Sequence, residues 1–231
     1  MHTGQDLANM FYGLALMGID DHAIWEDALL PRSQALVSTF DHHSLTNVIW
    51  SLGTLQKHPT DGAVLSSLLS QAIRLIDMHE ASSETPKLLP KPEYRGGNAL
   101  VEKAPSKPAS SSLLSSSRLQ PQFISNITWS LARLQHHDAE FMQRAGALFP
   151  CLADAATAQN IANVLWAFAS LECPGEHLFN NLRPRVERIL MDQGRGLSPQ
   201  SLSNMAWSYA KAGQVNFMQY ILEHMTSLEL N

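Results

Sequence analysis

A short phrase of residues recurs five times along this chain of 231 residues and constrains its fold more than any other feature. Each copy has an asparagine at its centre and a tryptophan three residues later, with tyrosine replacing tryptophan in the first copy. A glutamine precedes the asparagine by four residues in four copies, and His43 takes that place in the second. The central asparagines are Asn9, Asn47, Asn126, Asn163 and Asn204. They lie 38, 79, 37 and 41 residues apart, and a period near 38 predicts an array of repeated structural units.

The phrase fits an α-helix that is buried over most of its circumference. We number its positions from the asparagine, which is position 0. At about 100° per residue, the apolar positions −2, +1, +2, +5 and +8 share one broad arc. We assign the aromatic residue at +3 to the core as well, because a large ring is more often buried than used as a stacking platform. The asparagine is then the centre of a narrow polar stripe with positions −4, −3, +4 and +7. Small residues at +4 and +6 would let a neighbouring helix approach closely.

A second helical segment follows each phrase, and turn residues such as Gly, Pro, Asp and Asn separate the two. These second segments cover residues 21–37, which Pro31 interrupts, and residues 61–78, 138–152, 176–192 and 216–229. One pair of helices cannot bury its apolar face alone, so such pairs stack on one another. The sequence therefore predicts an all-α fold, an α-solenoid of about five helix-pair repeats.

One long insertion interrupts the array. Residues 80–119 contain five prolines and two runs of serine and show no helical periodicity, which is typical of disorder. We therefore predict repeats one and two over residues 1–79, a disordered insertion over 80–119, and repeats three to five over 120–231. The periodic pattern reaches both ends of the chain, as expected of a fragment of a longer array.

Composition excludes several classes of protein. No apolar run approaches the length of a membrane span, and we find no motif of a hydrolase, a phosphate-binding loop or a cofactor site, so we expect neither an enzyme nor a cofactor. The two cysteines lack metal-binding spacing, and the His42-His43 and His136-His137 pairs lack partner ligands, so no metal is expected. The net charge of −5 is unusual for a protein that binds nucleic acid.

The five asparagines are the main candidate site, because asparagine is unfavourable inside a helix and its recurrence needs a cause. In one interpretation each amide binds the backbone of the neighbouring repeat. In the other, the asparagines line a groove for a ligand, and positions that vary on the same stripe distinguish one ligand unit from the next. At position −3 the candidates are Ser44 and Asn160, and at position +7 they are Arg133 and Lys211.

The phrase resembles the octotricopeptide-type repeat, a helix pair of about 38 residues. The segments Gln200–Ala210 and Gln159–Ala169 carry the resemblance most clearly, and it extends over the whole chain except residues 80–119. Similar helical repeats occur in FAST-kinase-like proteins and in RNA-editing substrate-binding complexes of organelles. The resemblance implies binding of single-stranded RNA in a mitochondrion or plastid, in RNA stability, processing, editing or translation. It also implies partners in an RNA-processing complex.

Two functions remain open from the sequence. The first is a non-enzymatic RNA-binding protein, in which the array holds about one RNA unit per repeat. The second is a protein-protein interaction scaffold, which the acidic composition favours. No transit peptide is visible, because residues 1–20 already belong to the first repeat.

Overall fold

Ten α-helices form most of the regular structure in the described part of this chain. The computed structural model describes residues 3–83, 119–192 and 197–229, and these residues form no β-strand, so the prediction of an all-α fold is confirmed. The helices, in chain order, are α1 (Gly4–Leu16), α2 (Leu30–Leu36), α3 (His42–Leu55), α4 (Gly62–Ser83), α5 (Pro121–Arg133), α6 (Ala139–Leu152), α7 (Ala158–Ser170), α8 (Glu176–Met191), α9 (Pro199–Lys211) and α10 (Val215–Glu229). The odd-numbered helices carry the recurring phrase, and the even-numbered helices are the second segments.

The odd-numbered helices begin in closely similar ways. In four of them the residue at position −6 caps the helix, and its side chain accepts a hydrogen bond from the backbone N–H of position −3. The capping residues are Thr3, Asp41, Thr157 and Ser198. The fifth, α5, begins instead with Pro121, whose fixed φ and missing N–H suit a first turn. Position −3 is therefore part of the capping structure.

The same five helices also end alike. The residue at position +9 adopts a left-handed conformation in each, and two backbone N–H groups close the last turn in a Schellman motif. The residues at +9 are Gly18, Gln56, Gln135, Glu172 and Gly213. Glycine occupies this conformation freely, whereas a residue with a Cβ loses about 1 kcal/mol or more. The three middle helices therefore carry backbone strain at position +9, which glycine avoids in the first and the last.

Odd-numbered helices pack side by side in chain order, from α1 to α3, α5, α7 and α9. The small residues allow a close approach, as predicted: a Cβ added to Gly53 at position +6 would lie 2.6 Å from the Cα of Ser130 at position +4 of the next helix. Serines at +4 are buried, and their hydroxyls donate to the carbonyl of the asparagine one turn earlier, for example Ser130 Oγ to Asn126 O at 2.7 Å. Position +4 therefore belongs to the helix contact and not to the polar stripe.

Even-numbered helices form a second layer, in which α2 packs on α4, α4 on α6 and α6 on α8. Polar side chains join successive members of this layer. Gln71 of α4 donates to the carbonyl of Phe40, and Arg185 of α8 donates to the carbonyls of Ala153 and Ala156. Just before α2, residues Ala23–Leu29 form a π-helical segment. Pro31 follows it and has no N–H with which to continue an α-helical ladder.

The two flanks of the predicted insertion meet in the structure. Helix α4 continues to Ser83, four residues into the predicted insertion. Leu119 is buried, and its backbone N–H donates to His79 Nδ1 at 3.4 Å. Beyond this junction α3 packs on α5 and α4 packs on α6, so contact between the two helical parts is direct. Disorder was predicted for residues 80–119: residues 80–83 are helical and Leu119 is buried, while the remainder, 84–118, lies outside the described residues.

The contact at Gly53 predicts opposite effects for two glycine substitutions. Gly53→Ala places a methyl group against the α5 backbone, and we expect it to lower the free energy of unfolding by about 1–3 kcal/mol. Gly13→Ala is the matched control, because no atom lies within 4 Å of its added Cβ and alanine favours a helix by up to about 1 kcal/mol. Urea unfolding followed by circular dichroism measures both. Equal shifts of the two variants would contradict close packing at Gly53.

Candidate functional site

The exposed stripe of the odd-numbered helices contains positions −4, 0, +3 and +7. The assignment of the +3 aromatic residues to the core is wrong. Trp207 is 46% exposed and Tyr12 is 40% exposed, while Trp50, Trp129 and Trp166 are half-buried. Helices that approach as closely as α3 and α5 leave no room for an indole between them, so the ring lies on the open side of the layer, next to the asparagine.

Position −3 does not lie on this stripe, which corrects the prediction for Ser44 and Asn160. Ser44 is 3% exposed, and the corresponding Ser201 is also buried. Asn160 is half-buried; its Nδ2 donates to Ser125 Oγ of α5, and its Oδ1 accepts from the N–H of Thr157. Ser44 and Asn160 therefore serve capping and helix contacts, and they are poorly placed to distinguish ligand units, although Ser201 at the same position borders a cleft on α9.

A cleft of about 340 Å³ brings the stripes of four helices together. We call it the amide cleft. Its wall includes Trp50 of α3, Asn126 and Trp129 of α5, Gln159 and Asn163 of α7, and Gln200 and Asn204 of α9. Packed helix axes lie about 8–10 Å apart, so a flat layer would spread four helices over roughly 25–30 Å. Residues of α3 and α9 that share one cleft therefore indicate that this face of the layer is concave.

The stripe continues onto α1 but leaves the amide cleft there. The rings of Tyr12 and Trp50 lie against each other, with centroids 5.1 Å apart. Asn9 is exposed on α1, and Asn47 on α3 lies with its Nδ2 3.5 Å from His43 Nε2. The structure therefore brings Asn126, Asn163 and Asn204 into one cleft and places Asn9 and Asn47 outside it.

Most side-chain amides and indole N–H groups of the stripe have no hydrogen-bond partner among the described residues. Within the described ranges, the side-chain amides of Asn9, Asn126, Asn163 and Asn204 form no hydrogen bond with protein atoms, and neither do the indole N–H groups of the four stripe tryptophans. The buried Trp25, in contrast, donates its indole N–H to the carbonyl of Ile19 at 2.9 Å. The structural interpretation of the asparagines, as clamps on a neighbouring backbone, is therefore not what the structure shows. The amides of Asn126, Asn163 and Asn204 line the amide cleft instead.

A second cleft, of about 640 Å³, lies where the odd-numbered helices end, and we call it the helix-end cleft. Trp166 and Trp207 line it, together with Arg133 and Lys211 at position +7. The strained residues at position +9 also contribute to its wall: Gln56, Gln135 and Glu172. Backbone strain that persists around one cleft is a pattern often found at binding sites.

Of the two predicted cations in the helix-end cleft, Lys211 is held in an ion pair, whereas Arg133 lies against an aromatic ring. Lys211 Nζ lies 2.7 Å from Glu172 Oε1, and this hydrogen bond, with the lysine charge, lowers the pKa of Glu172. The guanidinium of Arg133 lies 5.7 Å from the centre of the Trp129 ring, and its Nε is buried without a hydrogen-bond partner among the described residues. One arginine and one lysine against one glutamate leave this cleft a formal charge of +1, whereas the amide cleft has no charged residue in its wall.

Other candidate chemistry finds no support in the described part of the chain. No group of three or more His, Cys, Asp or Glu side chains there could hold a metal ion. Cys151 and Cys173 are both free thiols, and burial raises the pKa of the Cys173 thiol. No helix within the described ranges is long and apolar enough to cross a membrane.

Two groups of functional candidates were missed from the sequence: the glutamines at −4 and the aromatic residues at +3. The signal was present, because positions −4, 0, +3 and +7 follow the spacing of a single helix face. A glutamine, an asparagine and an aromatic residue hold the first three of these positions in nearly every copy. Their association with the asparagine was more informative than the apolar character of the ring.

Comparison with known proteins assigns no family to this surface. No protein-family model and no curated protein sequence matched the chain. A function therefore has to be inferred from the chemistry of the two clefts.

Proposed function

We propose that this chain is a non-enzymatic RNA-binding helical-repeat protein, an α-solenoid of about five helix pairs that holds single-stranded RNA along its odd-numbered helices. Helices with the same start, the same close contact and the same left-handed end support a repeat array. Stacked repeats of this kind create extended concave surfaces, which is where the two clefts lie. The amides and aromatic rings in these clefts are suited to binding the bases of a single strand.

One observation carries this proposal: the amide cleft brings two indole rings, Trp50 and Trp129, together with side-chain amides of three successive odd-numbered helices. Bases of a single strand stack on aromatic side chains, and their edges pair with polar groups beside the ring. In each repeat the aromatic residue lies three residues after the asparagine, so a stacked base would have an amide within reach on the same helix face. A double helix, whose bases already stack on one another, offers no free base faces to these rings.

The negative charge of the chain does not oppose this proposal, because neither cleft carries a net negative charge. The amide cleft is neutral, and the helix-end cleft has a formal charge of +1 although the whole chain carries −5. A strand could therefore place its bases in the amide cleft and its phosphates near Arg133. With so few cations, stacking and base contacts would supply most of the affinity.

The cellular role follows from the resemblance to octotricopeptide-type repeats. We propose a role in organelle gene expression after transcription, through RNA stability, processing, editing or translation in a mitochondrion or plastid. Other proteins of an RNA-processing complex would be the expected partners.

A second candidate function is a protein-protein interaction scaffold. It is favoured by a mainly apolar cleft of about 490 Å³ next to the starts of α6 and α8, away from the stripe. Met142, Phe168, Pro174 and Leu178 are among its lining residues. Apolar side chains around a concave pocket are common at sites that accept a partner side chain.

The first test compares single-stranded with double-stranded RNA by fluorescence anisotropy at low salt. We expect the single strand alone to bind with measurable affinity. Replacing Trp50 and Trp129, the two tryptophans of the amide cleft, by leucine should weaken binding by at least about fivefold for each ring, because base–aromatic stacking contributes about 1–3 kcal/mol per base.

The matched control is replacement of the same two tryptophans by phenylalanine, which keeps an aromatic face and should retain most of the affinity. Circular dichroism of all variants checks that the helices remain folded. If no RNA binds at low salt, or if leucine and phenylalanine behave alike, the scaffold becomes the better proposal.

The second test concerns the two cations. Each phosphate contact on a single strand contributes about −0.7 to the slope of log K against log salt concentration. Arg133→Ala should reduce the steepness of this slope by about 0.7. Lys211→Ala should change it less, because Glu172 already holds the Lys211 ammonium.

Glu172→Gln is the counterpart of these variants. It releases Lys211 and should strengthen binding and steepen the salt dependence. A weaker affinity for this variant, or an unchanged slope in Arg133→Ala, would show that the phosphates do not lie in the helix-end cleft.

A further inference from the structure

The exposed stripe presents nearly the same side chains on every odd-numbered helix. Position 0 is always asparagine, position −4 is glutamine in four copies of five, and position +3 is tryptophan in four copies of five. The position that varies most in polarity near them, −3, is committed to capping and helix contacts. On the exposed stripe, +7 differs from copy to copy, whereas −4 and +3 each differ in one copy, at His43 and Tyr12.

Because the exposed stripe is nearly uniform, it is poorly suited to distinguish one base from the next in a mixed sequence. Helical repeats that read a mixed base sequence do so with two or three side chains that differ from repeat to repeat. Here α5, α7 and α9 carry glutamine at −4, asparagine at 0 and tryptophan at +3 without exception, so these three repeats offer each bound unit the same ring and the same amides. The matching ligand is therefore a strand whose own units are all alike.

The amides also restrict which base fits. A side-chain amide presents one acceptor oxygen and one donor NH₂ group side by side. Adenine carries the complementary pair, the N6 donor beside the N7 acceptor, and bidentate pairing of Asn or Gln with this edge is a recurrent contact. At the same edge guanine presents two acceptors, cytosine a donor alone and uracil an acceptor alone.

In a single strand the Watson–Crick edges are also free, and there cytosine and uracil each offer a donor beside an acceptor. Adenine differs from both because it offers such a pair at each of its two edges, N6 with N7 and N6 with N1. The absence of charge from the wall of the amide cleft fits a neutral base edge.

We propose that the amide cleft is selective for adenine-rich single strands, a homopolymeric tract in which each adenine stacks on a stripe tryptophan and pairs with a neighbouring asparagine or glutamine. This inference rests on the proposed function, and it adds selectivity for one base. Asn126, Asn163 and Asn204 line the same cleft, so one RNA strand could contact all three amides.

The test uses the full chain and fluorescently labelled oligo(A), oligo(U) and oligo(C) of equal length. We expect oligo(A) to bind at least about fivefold more tightly than the other two, because a good bidentate pair is worth about 1–3 kcal/mol of discrimination. Oligo(A) made from 7-deazaadenosine keeps the stacking surface but lacks the N7 acceptor. It should lose most of that advantage, and this measurement needs no variant protein.

Protein variants complete the test. The triple substitution Asn126→Leu, Asn163→Leu and Asn204→Leu removes the amides at similar side-chain size and should reduce the preference for oligo(A) to less than about twofold. Asn216→Leu, an exposed amide on α10 outside both clefts, is the control and should keep the full preference.

The outcomes separate this inference from the proposed function. Equal binding of all three homopolymers, a preference for oligo(U) or oligo(C), or an unchanged affinity for 7-deaza-oligo(A) would overturn the adenine selectivity while RNA binding stood. Failure of every single strand to bind at low salt would overturn both.

Discussion

The close contact between successive odd-numbered helices is the constraint on which the rest of the structure depends. At Gly53 and Ser130 the backbones approach so nearly that no side chain fits between them. Contacts of this kind place five helices in one layer and remove positions +4 and +6 from solvent. They also leave only one side of each helix open. The side chains on that open side are then fixed relative to one another across the layer, although each comes from a separate repeat.

A stripe of unpaired amides and half-exposed indoles contributes little to the stability of the fold. Asparagine within a helix is unfavourable. A partly buried indole also contributes less hydrophobic free energy to folding than a fully buried one. The core lies instead at the apolar positions and at isolated anchors such as Trp25, which is fully buried with its N–H bonded. Stability and binding chemistry are thus separated by helix face. The even-numbered layer completes the apolar contacts, and the open face remains available for a ligand.

The helices, their pairing and the closely packed small residues could be predicted from the sequence, because periodicity determines them. The orientation of the exposed arc could not. The prediction centred that arc near Asn126, with Phe123 and Ser130 at its edge, whereas the structure rotates it by about 40° toward Trp129. The rotation depends on how near the next helix comes, which is a tertiary quantity. The ion pair of Lys211 with Glu172 could not be predicted from the sequence either, since it joins residues of different repeats.

The junction between α3 and α5 has a further consequence, for the order in which the molecule assembles. Elsewhere, successive odd-numbered helices meet across about 38 residues of chain, but Asn47 and Asn126 are 79 residues apart. Doubling the length of a closed loop costs about 0.6 kcal/mol of entropy. The helices before and after this junction therefore form local contacts at lower entropic cost than the contact between them. The helices on each side would therefore form their local contacts first, and the close contact at Gly53 would form last, across the longest stretch of chain.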